Sequence, residues 1–212
     1  MKKNSLTLLT IGACSASAML ASSASAAIAT YSQFSLWGQD VVASGSTVGT
    51  ETFNSYNGFY SSPLTGSVGG INWSATATGG LFCNNVAVNG YFSTNNPVPA
   101  TFTFTPGVMS VGANIFGTDL NFNIVAARIT VTLADGSSYI ASTSVSTDFV
   151  GFISSGIGAV AISSLTISAV GAPGGPNVYV TADNMYFGVV PAPGSVALLA
   201  CAGLSATRRR RN

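Results

Sequence analysis

The segment Arg128-Ile129-Thr130-Val131-Thr132-Leu133 alternates strictly, with Ile129, Val131 and Leu133 on one side and Arg128, Thr130 and Thr132 on the other. A period of two marks a strand with one wet and one buried face; a helix repeats its faces at three and four residues instead. Ala134-Asp135-Gly136-Ser137 follows. Asp-Gly between alternating runs predicts a tight hairpin turn, because Gly accepts the positive φ that the turn needs, and 138–145 is then the returning strand. Further strand-like runs recur at 70–77, 100–105, 108–116, 149–153, 160–169 and 178–187, with Gly, Pro, Asn and Ser between them. Composition points the same way: the chain is rich in Gly, Ser, Thr, Ala and Val and lacks long runs of helix formers. The expected fold is all-β, a two-sheet antiparallel sandwich of jelly-roll type. No repeat of fixed period is evident, which speaks against a propeller or solenoid.

The two ends read differently from the middle. Lys2 and Lys3 precede an apolar, small-residue stretch from Leu6 to Leu20, and Ala24-Ser25-Ala26 supplies an A-x-A cleavage site before Ala27. That is the layout of a signal peptide cut by signal peptidase, and the stretch is short for a lasting span. At the other end stand Val190-Pro191-Ala192-Pro193-Gly194, an apolar run from Val196 to Leu204, and Arg208, Arg209, Arg210 and Arg211. The prolines end the last strand and leave an extended segment open to an enzyme. The apolar run inserts transiently in the bilayer, and the arginines stay cytoplasmic by the positive-inside tendency. The expected layout is therefore a signal peptide (1–26, an N-terminal signal helix), a sandwich domain (27–189) and a tail (190–212, with a short hydrophobic helix).

In its order of parts, this tail resembles that of the PEP-CTERM family of exported proteins. It is similar to the Val-Pro-Ala-Pro-Gly variant, with Ala192 where the family's usual motif has Glu. The resemblance covers about the last 22 residues. It implies processing near Pro191 and Pro193 by an exosortase-type sorting enzyme, and a final place at the cell envelope, cell surface or extracellular matrix. It also implies frequent association with extracellular polysaccharide, and says little about the domain in front.

Between the ends, Arg128 is the single cation against Asp40, Glu51, Asp119, Asp135, Asp148 and Asp183, a formal charge of −5 for the middle segment. Such a surface repels phosphate backbones, which excludes nucleic-acid binding as the expected role. Cys83 is alone there, since Cys14 and Cys201 lie in the two ends. No disulfide can form within the domain, and burial is the expected fate of that thiol. The chain has no histidine, so neither a Ser-His-Asp arrangement nor a histidine-ligated zinc can be built. Six scattered acids show no pairing of the kind glycoside hydrolysis needs. The expected role is non-enzymatic, with no catalytic residues, and the rival roles are a structural matrix protein without a sugar site and a glycan-active hydrolase.

Recognition then falls to aromatic side chains, whose faces stack on sugar rings. Tyr56, Phe59 and Tyr60 cluster around Asn57-Gly58 in a Gly/Asn/Ser-rich stretch, either as a stacking platform for polysaccharide or as a plug beneath a long loop. Trp73 alternates with Ile71 and Ala75 and belongs to the core. A second resemblance rests on Phe149-Val150-Gly151-Phe152-Ile153, Leu165-Thr166-Ile167, Asp183-Asn184-Met185-Tyr186-Phe187-Gly188 and the upstream Glu51-Thr52-Phe53. Together these resemble the jelly rolls of carbohydrate-binding modules. That resemblance implies a structural Ca²⁺ held by Glu51 and Asp183. The competing reading is a solvated Glu51 and an Asp183-Asn184 turn cap. Residues 27–50 read as an edge strand around 34–42 or as a loose arm.

Overall fold

A computed structural model describes residues 27–84 and 90–189. The signal segment with Ala24 and Ala26, and the tail from Val190 through Arg211, lie outside the described residues, as do the two flanking helices expected there. Among the described residues no helix is long and apolar enough to cross a membrane.

Two antiparallel sheets face each other, as the alternation predicts. In spatial order the nine-stranded sheet runs β1 (Ala27–Tyr31), β13 (Phe149–Ser155), β9 (Ser110–Thr118), β15 (Tyr179–Val189), β7 (Tyr91–Thr94), β6 (Leu81–Asn84) and β3 (Gly58–Tyr60). Two short strands join it off this path: β10 (Ile124–Val125) on β9 and β2 (Thr47–Glu51) on β15. The six-stranded sheet runs β12 (Ser138–Thr143), β11 (Ala127–Leu133), β14 (Ile162–Val170), β8 (Ala100–Val108), β5 (Ile71–Thr76) and β4 (Leu64–Val68). The chain passes repeatedly from one sheet to the other, so strands adjacent in sequence often face each other across the core.

The inward residues follow the period of two. Ile129, Val131 and Leu133 of β11, Leu165 and Ile167 of β14, and Phe102 and Phe104 of β8 face Val111, Ala113 and Ile115 of β9 and Met185 and Phe187 of β15 in one buried cluster. Trp73 and Cys83 lie in the same cluster. Burial, with Glu51 nearby, pushes the Cys83 thiol up to about 12, so it stays protonated and inert at neutral pH.

The outward face of the six-stranded sheet is a lattice of hydroxyls. Directly paired residues share a face, so Thr76, Thr101, Thr166, Thr132 and Ser138 form one row across five strands. Thr65, Ser74, Thr103 and Ser164 form a parallel row. Thr101 and Thr166 hydrogen-bond through their hydroxyls at 2.9 Å.

The expectation for residues 34–42 needs correction. This stretch is the helix α1 (Phe34–Ala43), and the edge strand is β1, just before it. Phe34, Trp37 and Val41 recur at helical spacing, which a strand would scatter over both faces. The helix lies on the outward face of the nine-stranded sheet, where Trp37 and Val41 are buried with Phe149 and Ile153. Trp37 donates its indole N–H to the Phe152 carbonyl at 3.2 Å. Gly151 permits this approach, since a Cβ there would stand 2.7 Å from Trp37 Cδ1.

Trp37 is the largest side chain buried between helix and sheet, and its ring is hydrogen-bonded there. Trp37→Ala should cost about 3–5 kcal/mol of unfolding free energy, measured from urea midpoints. A loss below about 1 kcal/mol would show that the docked helix adds little to the fold.

Candidate functional site

The outward face of the nine-stranded sheet carries one register row of interest. Phe59 pairs with Phe82, Phe82 with Ser93, Ser93 with Thr181, and Thr181 with Phe116. Five strands thus bring three phenyl rings and two hydroxyls onto one line. The hydroxyls are tied together: Ser93 and Thr181 lie 3.0 Å apart, and Thr181 and Thr118 2.7 Å apart. All three residues are buried, as is Phe116, which meets Tyr91 edge-on at 5.5 Å.

The period of two in β3 divides the three aromatic residues singled out in the sequence. Tyr60 pairs with Leu81 on the inner side, and Tyr56 stacks edge-on against it at 5.9 Å and against Trp73 at 5.8 Å. Both hydroxyls are engaged, Tyr56 donating to the Thr65 carbonyl and Tyr60 accepting the Asn57 N–H. These two rings plug the sandwich edge. Phe59 alone turns outward, 59 % exposed, with its ring over Gly80, where a Cβ would come within 2.6 Å of it.

The structure adds two residues that sequence reasoning missed. Phe82 sits beside Phe59, and Phe122 meets Phe82 with ring centroids 5.5 Å apart. Phe122 belongs to the loop between β9 and β10, yet it reaches β6, three positions away in sheet order. It does so at φ 61°, a left-handed conformation that a bulky residue adopts only under constraint. Asp119 supplies the constraint. Its carboxylate accepts the Asn121 and Asn123 backbone N–H groups and the Asn123 side-chain amide at 2.8–2.9 Å. Those bonds, the Asn123 side chain first, hold the Asp119 carboxyl below its ordinary range. A sequence signal did exist in Asp119-Leu120-Asn121-Phe122-Asn123, an acidic turn former two and four residues before amides, with an aromatic at the crown.

Phe59, Phe82 and Phe122 therefore form a partly exposed aromatic strip on a rigid sheet. Farther along the same face, between this strip and the helix, lies a polar patch. Tyr186 donates to Asn114 Oδ1 at 3.2 Å. Burial raises the Asp183 carboxyl, against the opposing bond from the Asn184 backbone, and raises the Tyr186 phenol, helped by the Asp183 charge.

Glu51 and Asp183 are placed on opposite faces. Asp183 pairs with Asn114 on the outward side, while Glu51 pairs with Met185, whose side chain is in the core. A bulge at Asn184, φ 48°, separates the two. Glu51 accepts the Phe53 N–H at 2.9 Å and the Trp73 indole N–H at 3.2 Å. The register does not bring the two carboxylates to one point, and among the described residues no cluster of three or more His, Cys, Asp or Glu side chains stands ready for a metal. A cleft of about 450 Å³ opens at one end of the sandwich between Ile28, Leu133, Asp135 and Ile162, and neither Glu51 nor Asp183 lines it. Asp135 there is folded back onto Ser137.

No family model and no curated protein matches the chain. Among solved structures, a variant of a family 29 carbohydrate-binding module superposes with 9 % identity and a TM-score of 0.33, over 69 % of this chain and 98 % of the module. A second variant, complexed with cellulohexaose, matches with the same identity and TM-score over 66 % and 90 %. At this level of likeness nothing of the module's ligand carries over to this chain.

The raised Asp183 carboxyl has a consequence for stability. Below its unfolded value of about 4 the group is protonated in both states and costs nothing. As pH rises through the higher folded value, the fold must carry a charge it disfavours, and stability falls. Asp183→Asn should therefore raise the urea midpoint at neutral pH and leave it unchanged near about pH 3.5. Equal midpoints at both pH values would show that the carboxylate is fully solvated.

Proposed function

We propose that this protein is exported, sorted to the cell surface through its Pro-x-Pro tail, and binds neutral extracellular polysaccharide on the outward face of its nine-stranded sheet, without catalysis. The observation that carries the binding reading is the strip of Phe59, Phe82 and Phe122, with Phe122 pinned at positive φ by Asp119. Apolar rings held in water on a rigid support suit the flat faces of sugar rings, and strained backbone concentrates at binding sites. Buried hydroxyls beside the strip stiffen the sheet beneath it. The formal charge of −5 between the terminal segments favours a neutral ligand over an acidic one.

The carboxylates support a non-catalytic role, because the fold already employs them. Asp40 takes the Tyr31 hydroxyl, Glu51 takes Trp73 and Phe53, and Asp119, Asp135 and Asp148 each accept bonds from their own loops. Asp183 and Glu51 point to opposite faces, so they do not flank a common bond. Export and sorting rest on the terminal segments: Lys2, Lys3 and Ala24-Ser25-Ala26 at one end, Pro191, Pro193 and four arginines at the other.

Affinity electrophoresis through gels of neutral glucans and mannans tests the binding reading. Retardation should weaken about tenfold, or about 1.4 kcal/mol, for Phe82→Ala or Phe122→Ala, and stay unchanged for Thr103→Ala on the other sheet. A folded protein that no glycan retards would instead be a structural component of the matrix, and release of reducing ends would make it an enzyme. Intact mass of the protein recovered from its host tests sorting. A chain that begins at Ala27 and lacks Arg208 to Arg211 is the expected product, whereas a full-length tail held in the membrane would rule sorting out.

A further inference from the structure

A sheet edge offers a row of unpaired backbone N–H and C=O groups, and proteins normally blunt it with charge, proline, a bulge, brevity or a covering segment. Of the four strands that end the two main strand paths, three are handled in those ways. β3 has three residues. β4 is covered by Tyr56, whose hydroxyl binds the Thr65 carbonyl, and by the neighbouring β2. β1 is flanked by α1.

Among the described residues, β12 has none of these devices. Ser138-Tyr139-Ile140-Ala141-Ser142-Thr143 contains no charge and no proline, and it pairs with β11 in unbroken register over its whole length. Ile140 is 49 % exposed on its outward face. The nearest acids, Asp135 and Asp148, sit in the loops at its two ends, each turned back onto local backbone N–H groups of Ser137 and of Ser144 and Val145.

The geometry points to a second copy of this chain as the occupant of that edge, paired antiparallel through β12 about a two-fold axis at Ile140. The segment is complementary to itself in this register. Ser138 falls opposite Ser142 of the second copy, Tyr139 opposite Ala141, and Ile140 opposite Ile140. Hydroxyl meets hydroxyl, a large ring meets a small side chain, and the exposed isoleucines cover each other. The inner layer continues across the junction, since Tyr139 and Ala141 already pack against the core and Tyr139 meets Phe152 edge-on at 6.3 Å. β12 itself carries no charged side chain, so this register sets no like charges directly opposite each other along the strand. The contact is isologous, so it closes as a dimer with a continuous twelve-stranded sheet, twice the six of one copy. The aromatic strip lies on the opposite sheet of each copy and is left open twice, which raises avidity for a repeating polymer.

Sedimentation velocity on the full chain over a concentration series tests this. A monomer–dimer equilibrium is expected, and Ile140→Lys, which sets like charges against each other at the two-fold, should weaken it at least tenfold while the melting profile is kept. Ile140→Cys should form an intermolecular disulfide on mild oxidation, because opposed Cβ atoms in an antiparallel pair stand about 5 Å apart. Thr130→Cys, one strand inward on the same face, should not. A monomer at every concentration overturns the proposal, and so does a dimer that ignores Ile140→Lys and fails to cross-link through Ile140→Cys. None of these readouts depends on glycan binding, so the two proposals stand or fall separately.

Discussion

The centre of the nine-stranded sheet is registered on β15 and its single bulge. The strand pairs with β9 along most of its length and with β7 and then β2 on its other side. Val180 and Ala182 point into the core before the bulge, and Met185 and Phe187 after it. A strict period of two would turn one of those pairs out to water. The extra residue, Asn184 in the left-handed region, resets the phase. Asn tolerates that conformation better than most residues, and the bulge marks where β7 gives way to β2 as the neighbour. The faces of Glu51 and Asp183 follow from it, as does the placement of Tyr186 under the helix.

Much of this was legible from residue order. Alternation in 128–133 and the Asp135-Gly136 turn specify the β11–β12 hairpin, and the burial of Trp73 and Cys83 follows from their neighbours. Strands without apolar alternation were not legible. Thr47–Glu51, Gly58–Tyr60, Leu64–Val68, Leu81–Asn84 and Tyr91–Thr94 are short and carry Gly, Asn, Ser or Thr, so they are strands only because a neighbour offers hydrogen bonds. The helix was hidden for a related reason. Its buried face is two residues in ten, Trp37 and Val41, too brief a pattern to outweigh a chain otherwise written for strands.

The candidate site shows where sequence reading stops. A cluster in sequence is not a cluster in space, and one residue of offset within β3 sends Tyr60 inward and Phe59 outward. Phe82 and Phe122 are 40 positions apart in sequence and share a surface only because a loop folds back across two strands. Glu51 illustrates the same limit for charge. The resemblance to carbohydrate-binding modules implied a cation ligand at Glu51 and the competing reading a solvated side chain, whereas the carboxylate accepts two N–H groups that burial would otherwise leave unpaired. Asp183, whose environment disfavours its charge, is the carboxylate the fold leaves least satisfied.

The hydroxyl lattice on the six-stranded sheet gives the protein an unusual relation to its medium. Most domains stay dispersed by carrying charge, and their solubility then moves with pH and ionic strength. Here much of the wet face is Ser and Thr, interrupted by Ile140 and Val170, and hydroxyl hydration does not titrate and is not screened. Across that face the surface offered to water changes little with salt or pH, and the response to both is left chiefly to Arg128 and the six carboxylates of the middle segment.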